Sequence, residues 1–355
     1  MKYKIDFIIG SLRSGGAERV VVNLANHLAS KNHEIRIITF IDGDFYDLNP
    51  RINRIRFHKK RIIQQAIPRA LFNLARFYKK KKNRPNVISS HIGLMGMATI
   101  PIAKLYKIKI IVSEHSNHLR FINNFSNRIV WDFLYPKVNA ITILTRYDLE
   151  YFKQKNENVI VMENPCSFRP SKGLDKEKTI LAVGNMNRYE EKGFDNLLKG
   201  LAKVLPENKE WKVKLVGGGD NGISTLKELV KDLKIEHFVT FTGFRNDVNF
   251  LMQKSEIFVL SSKYEGMPMA LLEALSQEMA CIAYDCVSGP SDIINSGENG
   301  ILVENQNLDK LISNIVKVMK DDELRNNLGR NGFQNLKRYD ISEVGDKWIK
   351  LIESI

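Results

Sequence analysis

Short apolar runs alternate with helical patterns along the whole chain. The first half contains the strand-like runs KIDFIIG, HEIRIITF, NVISSH, IKIIVSEH, NAITIL and NVIVMEN, and AERVVVNLANHLAS has apolar residues at helical spacing between the first two. The second half contains KTILAVGNM, WKVKLVGGG, HFVTFTGF, SEIFVLSS, MACIAYD and NGILVE, again separated by helical stretches. Strands that alternate with helices predict βαβ units. We therefore expect an α/β fold with two successive doubly wound parallel sheets.

The two series meet near Pro165 and Gly173, and a chain of 355 residues is long enough for two domains. We expect a Rossmann-like domain over 1–165, a second over 166–338, and a C-terminal helix over 339–355 that packs back on the first domain. Two such domains facing across a cleft would bind ligands at the carboxyl ends of their strands. Candidate chemistry should therefore lie in the loops that follow strands.

Composition and cysteine spacing exclude several classes of protein. Hydrophobic residues make up 43% of the chain, which is typical of a globular protein and not of a disordered one. Cys166, Cys281 and Cys286 have no paired spacing, so we expect reduced cytosolic thiols and no zinc site. The N-terminal segment does not fit a signal peptide, and the most apolar window, VISSHIGLMGMATIPIAKLY, falls short of a membrane span.

Two loops of the first half carry unusual residues. In GSLRSGGAER, Gly15 and Gly16 would let a ligand approach the backbone closely, at the start of a helix whose N–H groups favour anions. The alternative is a tight turn without a ligand. His115 follows the run IIVSE and would donate a hydrogen bond or proton, whereas a solvated loop histidine is the alternative. His118 lies three residues on, but a metal site would lack an evident third ligand.

Two loops of the second half carry charged residues at strand ends. In NMNRYEEKG, Arg188 and Lys192 would clamp a diphosphate, although four charges in five residues are equally consistent with a solvated turn. The stretch SSKYEGMPMALLEALSQ places Glu265 in a loop and Glu273 in the helix that follows, with Pro268 suited to its first turn.

Six short motifs follow one another along nearly the full length of the chain. They are GGAE, SEH, KGFDNLL, VGGGD, EGMPMALLEA and SGPSDII, which begin at Gly15, Ser113, Lys192, Val216, Glu265 and Ser288. Their order, together with the spacing of Glu265 and Glu273, resembles that of retaining family 4 glycosyltransferases of the GT-B fold. The resemblance implies catalysis of sugar transfer from a nucleotide sugar, with retention of configuration and with neither a metal nor another cofactor.

The resemblance also implies a role for each motif in donor binding. Glu273 would bind the ribose hydroxyls, since a carboxylate accepts two hydrogen bonds. Glu265 would orient hydroxyls of the donor sugar, helped by the backbone of the neighbouring donor-binding residues Gly266, Met267, Pro268 and Met269. Arg188 and Lys192 would neutralise the diphosphate leaving group, whose phosphate would accept the proton of the acceptor.

In the first half, the resemblance implies that Gly15 and Gly16 admit the diphosphate and the acceptor. His115 would contact the donor sugar or the acceptor as a catalytic residue. One position departs from the family pattern: Asn185 stands where these enzymes usually have an arginine, and Arg188 would take its place. A competing motif, IDGD with Asp42 and Asp44, is similar to the metal-binding DxD of another glycosyltransferase class, but a surface turn is the preferred interpretation.

Positive charge is concentrated in the first half, with 28 Lys and Arg against 12 Asp and Glu up to residue 165. The segment 51–84 contains 13 of these cations and no acidic residue, and Ile67, Leu71, Leu74 and Phe77 share one helical face within it. Such a basic amphipathic helix is typical of membrane-surface binding, and a core helix with a solvated basic rim is the alternative. The residues that we expect to face a membrane or acceptor are Lys59, Lys60, Arg61, Arg69, Arg76, Lys79, Lys80, Lys81 and Lys82.

Together these patterns predict a bacterial glycosyltransferase on the cytoplasmic face of the membrane, peripherally bound to its anionic surface. It would transfer a hexose or N-acetylhexosamine, which we expect to be UDP-linked, to a polyprenyl-diphosphate-linked glycan or a nascent surface polysaccharide. No nucleic-acid-binding motif accompanies the basic charge, so no nucleic-acid partner is expected. The alternatives are a non-catalytic nucleotide-sugar or anionic-polymer binding protein of this fold and a GT-B phosphorylase or epimerase.

Overall fold

The chain forms two compact units, each built around its own parallel sheet. The computed structural model describes four ranges of the chain, residues 1–57, 65–169, 171 and 175–355. Unit 1 consists of residues 1–167 and 339–355, and unit 2 consists of residues 168–338. The predicted class, α/β with two doubly wound parallel sheets, is confirmed.

Unit 1 contains a seven-stranded sheet of order β3-β2-β1-β4-β5-β6-β7. Its strands are β1 (Lys4–Ile8), β2 (Glu34–Thr39), β3 (Asn53–Arg56), β4 (Val87–His91), β5 (Lys109–Ser113), β6 (Ala140–Ile143) and β7 (Val159–Val161). The helices between them are α1 (Gly16–Ser30), α2 (Ala66–Lys79), α3 (Gly96–Leu105), α4 (Phe125–Ile129) and α5 (Leu149–Lys153).

Unit 2 contains a six-stranded sheet of order β10-β9-β8-β11-β12-β13. Its strands are β8 (Glu177–Val183), β9 (Lys212–Val216), β10 (Val239–Gly243), β11 (Ser255–Leu260), β12 (Ala280–Asp285) and β13 (Ile301–Glu304). Its helices are α6 (Tyr189–Lys192), α7 (Phe194–Leu201), α8 (Asp220–Asp232), α9 (Val248–Gln253), α10 (Met269–Leu275), α11 (Pro290–Ile293), α12 (Leu308–Lys320) and α13 (Asp322–Gln334).

Helices cover both faces of the unit 1 sheet. Successive side chains of a strand point to opposite faces, and Phe7 and Ile8 of β1 accordingly enter two different apolar clusters. The last helix, α14 (Ile341–Ser354), contributes Trp348 to the same cluster as Phe7 and lies against α1. Gly345 of α14 permits this approach, because a Cβ there would lie 2.5 Å from the ring of His27.

Twelve of the strands coincide with the apolar runs of the sequence, and β3 is the strand that the pattern missed. Its sequence, NRIR, contains one apolar residue among four, and it pairs with β2 at the edge of the sheet. Strand pairing with a neighbour, and not local hydrophobicity, therefore stabilises this short element.

The order of strands determines where each unit can present a binding site. In unit 1 the chain leaves β1 in one direction and returns to pair β4 on its other side, and in unit 2 the same reversal separates β8 from β11. Loops that follow neighbouring strands diverge at such a reversal and leave a crevice at the carboxyl edge. A binding site is therefore expected in the loops after β1, β4 and β5 of unit 1 and in those after β8 and β11 of unit 2.

The apolar face of α2 packs inside unit 1. Leu74 is fully buried, and Ile67, Leu71 and Phe77 pack against the core cluster, so this face is not available to enter a bilayer. The prediction of an amphipathic membrane helix is wrong in this respect, and the alternative of a core helix with a basic rim describes α2 better. Arg69 is also buried, at 6% exposure, and its Nη2 donates to the carbonyl oxygen of Phe40 at 2.8 Å.

The cationic rim of the segment remains on the surface. Arg76 and the run Lys79–Lys82 are exposed, whereas Lys59, Lys60 and Arg61 lie outside the described residues. No helix within the described ranges is both long enough and apolar enough to cross a membrane.

A buried ion pair joins the first two strands of unit 1. Arg36 donates to Asp6 through two hydrogen bonds of 2.6 Å, and Tyr78 of α2 donates to the same carboxylate at 2.5 Å. Asp6 and Arg36 are 0% and 4% exposed. Because burial deprives both charges of water, each depends on the other for its stability.

We expect Asp6→Ala to lower the free energy of unfolding by about 3–5 kcal/mol, because it leaves the Arg36 guanidinium buried without its counter-charge. Glu34→Ala is a matched control, since it breaks the exposed 3.2 Å pair of Glu34 with Lys4 between the same two strands. That change should cost about 0–1 kcal/mol. Urea denaturation followed by circular dichroism measures both, and equal effects of the two variants would contradict the expectation.

Candidate functional site

The loops after β8 and β11 bring a lysine and a glutamate into contact in unit 2. Lys192 Nζ donates to Glu265 Oε1 at 2.7 Å, and Ser262 Oγ donates to the same oxygen at 2.6 Å. The side chains of Lys192 and Glu265 are only 16% and 13% exposed. Two residues 73 positions apart thus form a partly buried ion pair at the carboxyl edge of the sheet, where the charge of each is less screened than in open solvent.

Gly193 makes this pair possible. It has a left-handed φ of +69°, and a Cβ at this position would lie 2.1 Å from the carbonyl oxygen of Ser261. Ser261 Oγ also donates to the carbonyl oxygen of Lys192 at 2.8 Å. The backbone N–H of Lys263 donates to the carbonyl oxygen of Glu191 at 2.9 Å. The end of α6 is therefore docked backbone to backbone on the start of the β11 loop.

Arg188 is engaged within its own loop. It forms a two-pronged ion pair with Glu191, with Nε donating to Oε2 at 2.8 Å and Nη2 donating to Oε1. Asn185, at the position where the sequence departs from the family pattern, accepts a hydrogen bond from the backbone N–H of Asn187 at 2.9 Å. Asn185 therefore caps the turn that carries Arg188.

The glycines of VGGGDNG serve packing of the backbone. A Cβ on Gly217 would lie 1.8 Å from the carbonyl oxygen of Gly184, and one on Gly222 would lie 1.9 Å from that of Met186. Met186 N–H also donates to the carbonyl of Gly218 at 2.8 Å. These glycines thus let the loop after β9 press against the loop after β8.

The loop of Gly266 to Met269 is held by the motif SGP after β12. Ser288 Oγ donates to the carbonyl of Gly266 at 3.0 Å, and a Cβ on Gly289 would lie 2.6 Å from the ring of Pro268. Met267 is buried, and α10 begins at Met269 with Pro268 as its N-cap, not in its first turn. The SGP motif therefore positions the EGMP loop.

Glu273 lies within α10 among Leu271, Leu272, Ala274 and Leu275, all of which are buried. Its own exposure is 3%. Carboxylates are rarely buried to this degree, because desolvation penalises the charged form. A buried glutamate in an otherwise apolar helix is thus a candidate functional residue.

In unit 1, the loop after β1 leads to Gly15 and Gly16 at the start of α1. Gly15 is the N-cap residue, and its N–H and carbonyl both pair with the hydroxyl of Tyr46, at 3.0 and 2.8 Å. A Cβ on Gly15 would meet the carboxylate of Glu18 at 2.2 Å, whereas one on Gly16 would meet nothing within 4 Å. A side chain at position 15 would displace the Glu18 carboxylate, whereas one at position 16 would enter open space.

The polar residues on either side of His115 have structural partners. Glu114 is buried and accepts hydrogen bonds from Trp131 Nε1, at 2.8 Å, and from the hydroxyl of Tyr135. His118 Nδ1 lies 2.7 Å from Asp148 Oδ1, and its ring stacks on Tyr151 at 4.1 Å. These contacts account for Glu114 and His118 without a ligand.

His115 itself contacts a second histidine. Its Nε2 lies 2.9 Å from Nδ1 of His91, the last residue of β4, and His91 Nε2 lies 2.9 Å from Ser89 Oγ. The other ring nitrogen of His115, Nδ1, is buried and has no hydrogen-bond partner among the described residues. Burial lowers the pKa of His115 to about 4, and burial together with the neighbouring His115 lowers the pKa of His91 well below its usual value.

The IDGD turn is neutralised by arginines. Asp44 accepts hydrogen bonds from Arg54 at 2.8 Å and from Arg56 at 2.6 Å. Burial alone would raise the pKa of Asp44, but these two guanidinium groups outweigh it and lower the pKa. The carboxylate of Asp44 is thus already paired within unit 1.

Sequence reasoning missed Ser262, Ser89 and His91. Ser262 follows β11 directly and hydrogen-bonds Glu265, and only the folded loop shows the contact. His91 lies within the apolar window VISSHIGLMGMATIPIAKLY. A signal was present, since central parallel strands are usually apolar throughout and the sequence VISSH ends in three polar residues.

Two family models together match most of the chain. The model described as Glycosyltransferase Family 4 matches residues 14–166, and the one described as Glycosyl transferases group 1 matches residues 167–335.

The chain is also similar over its full length to curated enzymes. It is 31% identical to an α-1,4-N-acetylgalactosaminyltransferase of Campylobacter jejuni, named for GalNAc-α-(1→4)-GalNAc-α-(1→3)-diNAcBac-PP-undecaprenol, with 99% of each chain covered. It is 25% identical to a second enzyme of that organism, an N-acetylgalactosamine-N,N'-diacetylbacillosaminyl-diphospho-undecaprenol 4-α-N-acetylgalactosaminyltransferase, over 98% of this chain and 99% of the other. Among solved structures, HepE from Anabaena in complex with UDP shares the fold, with a TM-score of 0.83, 17% identity and coverage of 99% of this chain and 100% of that chain.

Alanine substitution tests the close contact at Gly193, and Gly243 is the matched control. Gly243 has nearly the same φ, +68°, but a Cβ there would meet nothing within 4 Å. We expect Gly243→Ala to lower the free energy of unfolding by about 1 kcal/mol, the cost of a left-handed backbone. Gly193→Ala should cost at least about 1–2 kcal/mol more, because the Ser261 carbonyl must also move. Urea denaturation measures both, and similar costs would mean that the contact is easily relieved.

Proposed function

This chain belongs to the family 4 glycosyltransferases of the GT-B fold, and on that premise we propose a specific reaction for it. It transfers a hexose or N-acetylhexosamine from a nucleotide sugar to a lipid-linked glycan or nascent surface polysaccharide, with retention of configuration and without a metal. The fold neighbour from Anabaena holds UDP, so UDP-sugars are the first donors to test.

The observation that carries the proposal is the Lys192–Glu265 pair at the strand reversal of unit 2. A cation placed there suits the negative charge that develops on a diphosphate leaving group, and a carboxylate suits sugar hydroxyls. Their mutual contact keeps each charge in position before a ligand arrives. Binding of a donor then exchanges part of this contact for contacts with the ligand, which lowers the cost of ordering the site.

The remaining donor contacts follow the same chemistry. Glu273 binds the ribose hydroxyls, and Gly266 to Met269 present backbone to the donor beside Glu265. Arg188 assists Lys192 at the diphosphate by turning its guanidinium from Glu191 to a phosphate, an exchange between two bidentate anionic partners. The Asn185 cap supports this role, because it holds the turn that carries Arg188.

Unit 1 supplies the acceptor side of the reaction. Gly15 and Gly16 admit the diphosphate or the acceptor, and an added Cβ on Gly16 would meet nothing within 4 Å. His115 contacts the donor sugar or the acceptor through Nδ1, which has no hydrogen-bond partner among the described residues. In a retaining front-face transfer, the bond from the sugar to the phosphate breaks as the acceptor oxygen attacks, and the leaving phosphate takes the acceptor proton.

The acceptor class is taken from the relatives. Both Campylobacter jejuni enzymes are named for glycans on undecaprenyl diphosphate, and both match this chain over nearly its whole length. We therefore place the transfer at the cytoplasmic surface of a membrane. The exposed run Lys79–Lys82 supports attachment by charge, whereas the buried apolar face of α2 argues against insertion of that helix.

We expect Lys192→Ala to lower kcat/KM about 10²–10³-fold, since it removes one charge-assisted contact to the leaving group. Lys214→Ala is the control, because Lys214 also pairs with a glutamate, Glu177 at 2.9 Å, but on β9 away from the strand reversal. Release of nucleotide from UDP-glucose, UDP-galactose and their N-acetyl forms, with membrane lipid extract as acceptor, measures activity. If no nucleotide sugar is turned over by the intact protein, the proposed function fails.

We expect Glu273→Ala to raise the Kd for UDP at least about tenfold, because two hydrogen bonds to a charged group are lost. Glu228→Ala changes an exposed glutamate of the same unit and should leave the Kd unchanged. Isothermal titration calorimetry measures the affinity. An unchanged Kd in Glu273→Ala would remove this residue from the donor site.

Replacement of Lys79, Lys80, Lys81 and Lys82 by Gln should weaken binding to phosphatidylserine vesicles, by up to about 1 kcal/mol per cation. The matched control replaces four exposed lysines of unit 2, Lys203, Lys209, Lys227 and Lys231, and changes the net charge equally. Vesicle sedimentation at low and high salt measures binding, which should fall with salt. Salt-independent binding, or equal loss in the control, would contradict attachment through this run.

A further inference from the structure

A chain of three polar side chains crosses from β4 to the loop after β5 inside unit 1. Ser89 Oγ, the His91 ring and the His115 ring are linked by two contacts of 2.9 Å each. Ser89 and His91 are each 1% exposed, and the His91 ring packs against Phe7, at 5.6 Å, and Trp348 of α14, at 6.1 Å between ring centres. Packing against these two aromatic rings therefore holds the His91 ring in place.

The position of the protons along this chain follows from the partners available. Within the described residues, the hydroxyl of Ser89 has one hydrogen-bond partner, His91 Nε2, and a buried hydroxyl proton without a partner is costly. Ser89 therefore donates to His91 Nε2. Neutral His91 then carries its proton on Nδ1 and donates it to His115 Nε2.

The contact between His91 and His115 determines whether the free ring nitrogen of His115 is a hydrogen-bond donor or an acceptor. Its Nε2 accepts from His91, so a neutral His115 carries its proton on Nδ1. That atom is buried and has no partner among the residues that the structure describes. Burial lowers the pKa of both rings and so favours the neutral form of each. The hydrogen-bonded series of Ser89, His91 and His115 thus ends in an N–H group that has no acceptor among the described residues.

We propose that Ser89 and His91 are positioning residues, which hold His115 so that its Nδ1–H donates a hydrogen bond to an oxygen of the bound sugar substrate. This inference rests on the proposed function for the identity of the substrate, but the arrangement of protons is a property of unit 1 by itself. This hydrogen-bond relay of Ser89, His91 and His115 keeps the His115 ring in one neutral tautomer, whereas an isolated imidazole exchanges between two tautomers.

The tautomer is measurable without any substrate. Long-range ¹H–¹⁵N correlation spectra of the histidine-labelled protein distinguish a protonated Nδ1 from a protonated Nε2, and His115→Ala assigns the signals among the seven histidines. We expect His115 to be protonated on Nδ1 in the intact protein. Ser89→Ala, which removes only the oxygen at the far end, should shift His115 toward protonation on Nε2. A wild-type His115 already protonated on Nε2 would overturn the proposal.

Substitutions at His91 separate the relay from packing. His91→Asn keeps an amide N–H near the position of Nδ1 and should preserve the His115 tautomer. His91→Phe keeps an aromatic ring against Phe7 and Trp348 but removes both hydrogen bonds, so the tautomer should become mixed. Ser90→Ala is the matched control, since Ser90 lies on the same strand and pairs with Thr99 at 2.9 Å.

Activity gives the second readout. We expect kcat/KM to fall about tenfold to a hundredfold in His91→Phe, with recovery in His91→Asn and no change in Ser90→Ala. If the protein turns over no sugar donor while the tautomer responds as described, the proposed function fails and the relay stands. If transfer is observed but Ser89→Ala and His91→Phe leave both tautomer and kcat/KM unchanged, the relay fails and the proposed function stands.

Discussion

Parallel pairing of β8 with β11 is the constraint on which the unit 2 site depends. In a parallel sheet all strands end at the same edge, so the two loops that follow these strands start side by side although 73 residues separate Lys192 from Glu265. Hydrogen bonds from Ser261 and Lys263 to the backbone of the α6 end then hold the loops together, and Gly193 leaves room for that close approach. A side chain at position 193 would separate the loops, and the lysine and the glutamate would move apart with them.

Charges in the loops that follow β2, β8 and β11 are paired within their own unit before any ligand is present. Lys192 is held by Glu265, Arg188 by Glu191 and Asp44 by Arg54 and Arg56. An unpaired charge in a partly buried loop would lower stability, because it loses water without gaining a partner, and it would also repel nearby charges of the same sign. Binding of an anionic ligand is therefore an exchange of partners. The binding free energy depends on the difference between the ion pair that is lost and the one that is formed, and not on the full strength of either.

Much of the fold and part of the site could be predicted from the sequence. Apolar runs located twelve strands, because burial on both faces of a sheet requires continuous hydrophobic sequence, but NRIR of β3 lacked that signal. The order of the motifs makes Glu265, Glu273, Lys192 and His115 candidate site residues, and only the folded chain shows that Lys192 contacts Glu265. The apolar stripe of α2 was located correctly, yet its partner was misjudged, because a periodic pattern shows that a face is buried and not what buries it.

The sequence by itself determined the class of fold, the strand ends that carry polar residues and the family to which the chain belongs. These depend on local composition and order, which are written directly in the chain. Tertiary structure alone decided which charges neutralise each other, that His118 and Glu114 have structural partners, and that Ser89, His91 and His115 form one chain of hydrogen bonds. Such contacts depend on distances of about 3 Å between residues far apart in sequence, and only strand pairing and close glycine contacts fix distances of that kind.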